Sequence, residues 1–190
     1  ASIEDDIKKA IRQQIPIYTN FYNLAEQSYI ERILTSVDDV KYLKLGGYED
    51  AERCIFSIYS VFIDYDISNY IPIKVLKLSW NGKHNKIGHR DVLGAILGLG
   101  IKREVVGDII VKEDMAFAFL QEDMASFVVQ NLTKVGAASV TIKALDIDEV
   151  EIEAPKSKTI NAIVPSLRLD CITSAGFRIS RTKSASLIQI

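Results

Sequence analysis

The residues with the clearest chemistry lie at the end of the chain, in RLDCITSAGFRISRTKSASLIQI over residues 168–190. Gly176 falls where a helix entering at Arg168 needs a residue tolerant of positive φ, and Ser180 falls where a following helix needs a cap for its free N–H groups. That spacing predicts two short helices. Arg181 and Lys183 then stand in the first turn of the second helix, with Arg168 and Arg178 nearby. Cations at the edge of a compact helix pair are what phosphate neutralisation requires, so these four and Ser180 are the first candidate RNA contacts.

A net charge of −2 over 190 residues would by itself argue against a nucleic-acid partner. Its distribution argues for one. From residue 154 to 190, Lys156, Lys158, Arg168, Arg178, Arg181 and Lys183 face only Asp170, a local charge of +5. Salt screens over about 10 Å, so local charge governs an encounter with a phosphate backbone. Just before this segment, LDIDEVEIE carries Asp146, Asp148, Glu149, Glu151 and Glu153 and reads as an exposed strand or linker face.

Enzyme chemistry has little to draw on. Two histidines, His84 and His89, lie in adjoining loop positions, and Cys54 and Cys171 form no Cys-x-x-Cys pair. Phosphate loop, nucleophile elbow and metal-spaced histidine motifs are missing. The expectation is a non-enzymatic protein with no cofactor, no metal, no membrane and no small-molecule substrate. Both cysteines read as small apolar fillers in a reducing compartment.

A second candidate region lies mid-chain. His89 and Arg90 open a helix, where positive charge opposes the helix dipole and hints at an anion nearby. Lys102 and Arg103 follow that helix, where cations are comfortable without any ligand. Phe117 and Phe119 alternate on a strand and Trp80 ends another, a pattern that fits either base stacking or core packing. Missing arginine and glycine neighbours favour packing against two helices. GAILGLG, residues 94–100, ends a helix instead of linking a strand to one, and reads as small residues allowing close helix packing.

The elements that position these residues follow from periodicity. Ser2 with Asp5 forms a capping box for a helix near 2–14, ended by Pro16, and Asn23 to Glu26 opens a second with an apolar stripe of Leu24, Ile30, Ile33 and Leu34. Residues 40–45 alternate, Gly46-Gly47 turns, a short helix starts at Tyr48, and 54–62 is β-prone. Then come strand 73–80, helix 90–99, strands 108–111 and 115–120, helix 122–135 and strand 139–145. That is βαββαβ, the ferredoxin-like order, with Gly82 and Gly88 before the first helix, Gly100 closing it and Gly136 closing the second.

Two resemblances follow from these motifs. Arg168-Leu169-Asp170, Gly176, Ser180-Arg181 and the run to Leu187-Ile188 resemble the opening of the S-four-type (αL) RNA-binding domain. That domain continues with a glycine and short strands, which do not appear before Ile190. The chain is therefore expected to be a truncated form of a longer protein, with a mobile tail. GHRDVLGAILGLGIKREVVGDI (88–109), GGYEDAER (46–53) and this tail together resemble the YlmH-type family of bacterial and plastid RNA-binding proteins.

The resemblance implies binding to ribosomal RNA on the large ribosomal subunit, in translation or rescue of stalled ribosomes, with a link to cell division. It implies a cytoplasmic protein, or one in the plastid stroma for plant-type relatives. The alternatives are a protein interaction adaptor in cell division and, more remotely, an RNA-modifying enzyme. The expected fold is α+β. It comprises an N-terminal helical α/β domain (1–71), a central ferredoxin-like βαββαβ domain (72–146), linker strands (147–166) and an incomplete S-four-type helical module (167–190).

Overall fold

A computed structural model of the chain describes residues 2–67, 69–81, 86–150, 152 and 160–188. Gly82, His84, Glu151, Glu153, Lys156 and Lys158 lie outside the described residues. The chain divides into a body, 1–153, and a smaller unit, 154–190.

The body opens with α1 (Ile3–Gln13), whose Ser2 and Asp5 cap each other's N–H groups and whose Ile3, Ile7 and Ala10 are buried. Gln14 ends it in the left-handed region, φ 53°. After β1 (Ile17–Tyr18), α2 (Leu24–Thr35) is capped by Asn23 and Glu26. The stripe expected on α2 is shifted, because Leu24 is 61% exposed while Gln27 is buried and donates to the Tyr22 and Glu52 carbonyls. β2 (Val40–Leu45) and β1 pair antiparallel on either side of β3 (Ile55–Ser60). Phe56 and Ile58 face α1 and α2 in one apolar cluster, while Ile55 joins another.

The central part follows the expected order. β4 (Ile73–Ser79), α3 (His89–Leu97), β5 (Val106–Val111), β6 (Met115–Gln121), α4 (Glu122–Asn131) and β9 (Thr141–Leu145) build an antiparallel sheet ordered β5-β6-β4-β9. This is the split βαβ arrangement of a ferredoxin-like fold. Between α4 and β9, β7 (Lys134–Val135) and β8 (Ala138–Ser139) form a small hairpin across Gly136, φ 59°. The helix expected to run to 135 thus stops early, since the hairpin needs that left-handed turn and Gly136 supplies it. Leu76, Leu78, Ala118 and Leu120 meet Val92, Ile96, Ala125 and Val128 on the helix side.

Three further expectations are corrected. No helix starts at Tyr48; the segment from 46 to 53 turns twice through positive φ, at Gly47 (93°) and Asp50 (64°). The linker strands are not formed in the described residues. A 3-10 turn, Ile147–Glu149, replaces the first, with Glu149 accepting the Asp146 N–H and the apolar Ile147, Val150 and Ile152 packing against Val75 and Phe119's cluster. Gly94 and Gly98 are exposed, and a Cβ on Gly94 would meet nothing within 4 Å, so GAILGLG makes no close helix packing.

The second unit contains α5 (Leu169–Phe177) and α6 (Arg181–Ile188). Gly176 is not the helix stop. It lies inside α5, and Arg178 takes the left-handed cap at φ 53°. Ser174 Oγ donates to the Ile179 carbonyl at 2.7 Å and so holds the turn that follows.

Candidate nucleic-acid interface

In the helical unit, the start of each helix supplies cations to one carboxylate. Asp170 accepts from Arg168 Nε at 3.0 Å and from Arg181 Nε at 2.6 Å, which ties the first turn of α6 to the first turn of α5. These guanidiniums hold its carboxyl far below the usual range, at about 2. Ser180 caps α6 as expected: its Oγ accepts the Lys183 N–H at 3.2 Å. Arg168 and Arg181 keep 71% and 55% of their side-chain surface in solvent. Arg178 and Lys183 are exposed too, so all four predicted cations of this unit can reach a phosphate.

The mid-chain candidates divide. His89 and Arg90 are exposed at the start of α3, and no ion pair holds either among the described residues. The helix end is already served by its own acid, for Asp91 Oδ2 accepts the Gly88 N–H at 2.8 Å. Lys102 is open to solvent beside Glu104, 4.0 Å away. Arg103 points inward. Its guanidinium donates to the Val106 carbonyl and, at 3.2 Å, to that of Gly107, which makes it a poor phosphate ligand.

The residues that sequence reasoning missed explain this inward turn. Asp108 accepts from Tyr48 Oη (2.8 Å), Glu52 N (2.7 Å) and Arg53 N (3.1 Å). Arg53 in turn donates to the carbonyls of Val106 (3.0 Å) and Phe21 (2.8 Å). Burial pulls both guanidinium pKa values down, and Asp108 offsets part of that pull. GGYEDAER and REVVGD are therefore two sides of one seam. The seam joins the N-terminal strands to the central sheet. The double turn at 46–53 exists because that backbone wraps a carboxylate more than fifty positions away.

The seam also settles the aromatic residues. Phe119 is fully buried, but on the face opposite α3 and α4, under Tyr48 (ring centroids 5.1 Å apart), Phe21 and Ile55. Phe117 shares that face, so packing against the two helices is corrected for both residues. Trp80 alone packs with the helices. Glycines permit the close approach: a Cβ on Gly107 would lie 2.7 Å from the Phe21 ring, and one on Gly47 would lie 2.6 Å from Phe119. The sheet face on which bases stack in some ferredoxin-like domains is here occupied by protein around Phe119.

Cys54 and Cys171 are buried free thiols, each within its own unit, and burial raises the Cys54 pKa. No helix among the described residues is long and apolar enough to cross a membrane.

Comparison with known proteins agrees with this layout. Residues 1–61 match the family described as "YlmH, N-terminal", and residues 66–149 match "Putative RNA-binding domain in YlmH". The chain is 30% identical over 183 residues to the ribosome-associated protein quality control protein P2 of Bacillus subtilis (strain 168). That match covers 96% of this chain and 70% of the relative. Its fold is similar to that of the cell division protein ylmH from Streptococcus pneumoniae, with a TM-score of 0.63 and 21% identity, covering 77% of this chain and 88% of that one. With both family domains matched in order and a relative this similar along nearly the whole of this chain, the chain belongs to the YlmH family.

Proposed function

We propose that this chain is a non-enzymatic RNA-binding protein of the cytoplasm that acts at the ribosome, recognising ribosomal RNA of the large subunit during quality control of stalled translation. The observation that carries this reading is the basic edge of α5 and α6. Arg168, Arg178, Arg181 and Lys183 are all exposed, the first and third of them sharing the Asp170 carboxylate, in a chain whose Bacillus subtilis relative is named as ribosome-associated. Asp170 fixes two of these cations at the helix starts, and preorganised cations lose less freedom on binding than free ones. Affinity then comes from phosphate neutralisation, and specificity from the shape of the folded RNA. His89 and Arg90 form a second, weaker contact in this proposal.

Sedimentation of the full chain with purified ribosomes at two salt concentrations tests the reading. Binding to the large subunit that weakens steeply with salt supports it. A chain that never pellets with ribosomes but captures a division protein would replace it with the adaptor reading, which the name of the Streptococcus pneumoniae neighbour favours.

A further inference from the structure

The N-terminal strands cover only part of the central sheet's outer face. Cross-strand register divides that face into rows: Val75 pairs with Phe119 and Leu145, and the next row outward places Phe117 and Lys143 on either side of Lys77. Beyond it, Ser79 stands between Met115 and Thr141. The Val75 row is roofed by Phe21, Tyr48 and Ile55. The Lys77 row is basic, and Lys112, from the turn after β5, adds a third ammonium 5.7 Å above the Phe117 ring.

Two features of these lysines call for an anion. Lys77 and Lys143 are directly opposed across neighbouring strands, and like charges so placed destabilise a sheet. None of the three takes part in an ion pair among the described residues. Lys74, on the same strand but the opposite face, holds both Glu122 and Asp146. A lysine on an edge strand can serve merely to block edge-to-edge pairing, which accounts for Lys143 on β9. It does not account for Lys77, on the central strand β4. Glu113 and Asp114, in the turn after Lys112, bound the patch on that side.

We propose that Lys77, Lys112 and Lys143 form a binding site for the phosphate backbone of an RNA strand, with the Ser79 and Thr141 hydroxyls as additional donors. The site rests on the RNA-binding reading above and extends it to a surface distinct from the α5–α6 edge. It works without base stacking. Phe119 is roofed by protein and Phe117 lies beneath Lys112, so the aromatic residues serve as floor while the lysines make the contacts.

The test uses the full chain, large-subunit ribosomal RNA and polyuridine, in salt titrations of wild type and the triple variant Lys77→Gln, Lys112→Gln, Lys143→Gln. The expected result is a salt slope about two units shallower in the triple variant, from about 0.7 per single-strand phosphate contact. Lys77 is partly buried, so a double variant, Lys112→Glu with Lys143→Glu, gives the same reading without touching the central strand. Lysine acetylation of wild type adds a measurement independent of any variant: RNA should protect Lys77, Lys112 and Lys143. Unchanged slopes with unprotected lysines would overturn the site while leaving RNA binding through α5 and α6 intact. A wild type that binds no RNA would overturn the underlying reading and this site with it. Protection by polyglutamate but not by polyuridine would make the patch an acidic-protein surface, contrary to the proposal.

Discussion

Two arginines of the body, Arg53 and Arg103, and two of the helical unit, Arg168 and Arg181, are bonded in opposite ways. Arg53 and Arg103 direct their guanidiniums inward onto the carbonyls of Phe21, Val106 and Gly107. Arg168 and Arg181 meet a carboxylate at the surface and keep most of their side chains in water. A count of cations does not distinguish these cases. What a guanidinium donates to does: carbonyls inside the fold make it part of the architecture, whereas two solvent-facing guanidiniums sharing one carboxylate keep a net positive charge and free donors for a phosphate.

The comparison breaks most visibly at Asp108. Asp108→Ala removes the acceptor for one hydroxyl and two backbone N–H groups at the seam, so the body should lose about 2–4 kcal/mol, read in a denaturant titration. A loss below about 0.5 kcal/mol would mean that the seam is not what orients Arg53 and Arg103. Alanine at Gly107 should cost about 1–3 kcal/mol, because its Cβ enters the Phe21 ring's space at 2.7 Å. Gly94→Ala should do the reverse. It fills open space in the middle of α3, and the body should gain about 0.5–1 kcal/mol in the same titration. Equal signs at the two glycines would contradict the packing described for them.

In the helical unit the comparison is sharpened by pH. The Asp170 carboxyl is lowered to about 2 by Arg181 and Arg168, and a depressed carboxyl adds stability above its unfolded pKa, near about 3.9. That contribution fades as pH falls from about 4 through 2. Amide signals of α5 and α6 should report a loosening in that window, absent in Asp170→Asn. An identical acid transition in the variant would show that the carboxylate does not tie the helices together.

Much of the fold was legible because hydrophobic period survives in single elements. The order of the central strands and helices and the caps at Ser2, Asn23 and Ser180 stand in the sequence and reappear in place. The failures share a cause. Alternation shows that Phe117 and Phe119 share a face but not what covers that face, and the cover comes from residues around Phe21, Tyr48 and Ile55. The segment from Tyr48 read as a short helix after the Gly46-Gly47 turn because Asp108, which holds it, lies far away in sequence. Gly176 was the natural helix stop by residue type, yet α5 runs one residue past it and Arg178 takes the strained position. In the candidate site, Arg168, Arg178, Ser180, Arg181 and Lys183 could be read from local spacing, whereas Arg103's inward turn depends on tertiary carbonyls. Lys77 did leave a trace, as the one charge between Val75, Leu76 and Leu78 on a strand otherwise apolar on both faces there.

The central claim, that the exposed cations of α5 and α6 bind RNA, is tested most directly by the salt dependence of the full chain's affinity for large-subunit ribosomal RNA. Wild type should be compared with Arg181→Ala, Lys183→Ala. The account predicts weaker binding and a slope shallower by about one to two units in the variant, at about 0.7 to 0.9 per phosphate contact, with the melting of the body unchanged. Equal affinity and equal slope in the two proteins would contradict it.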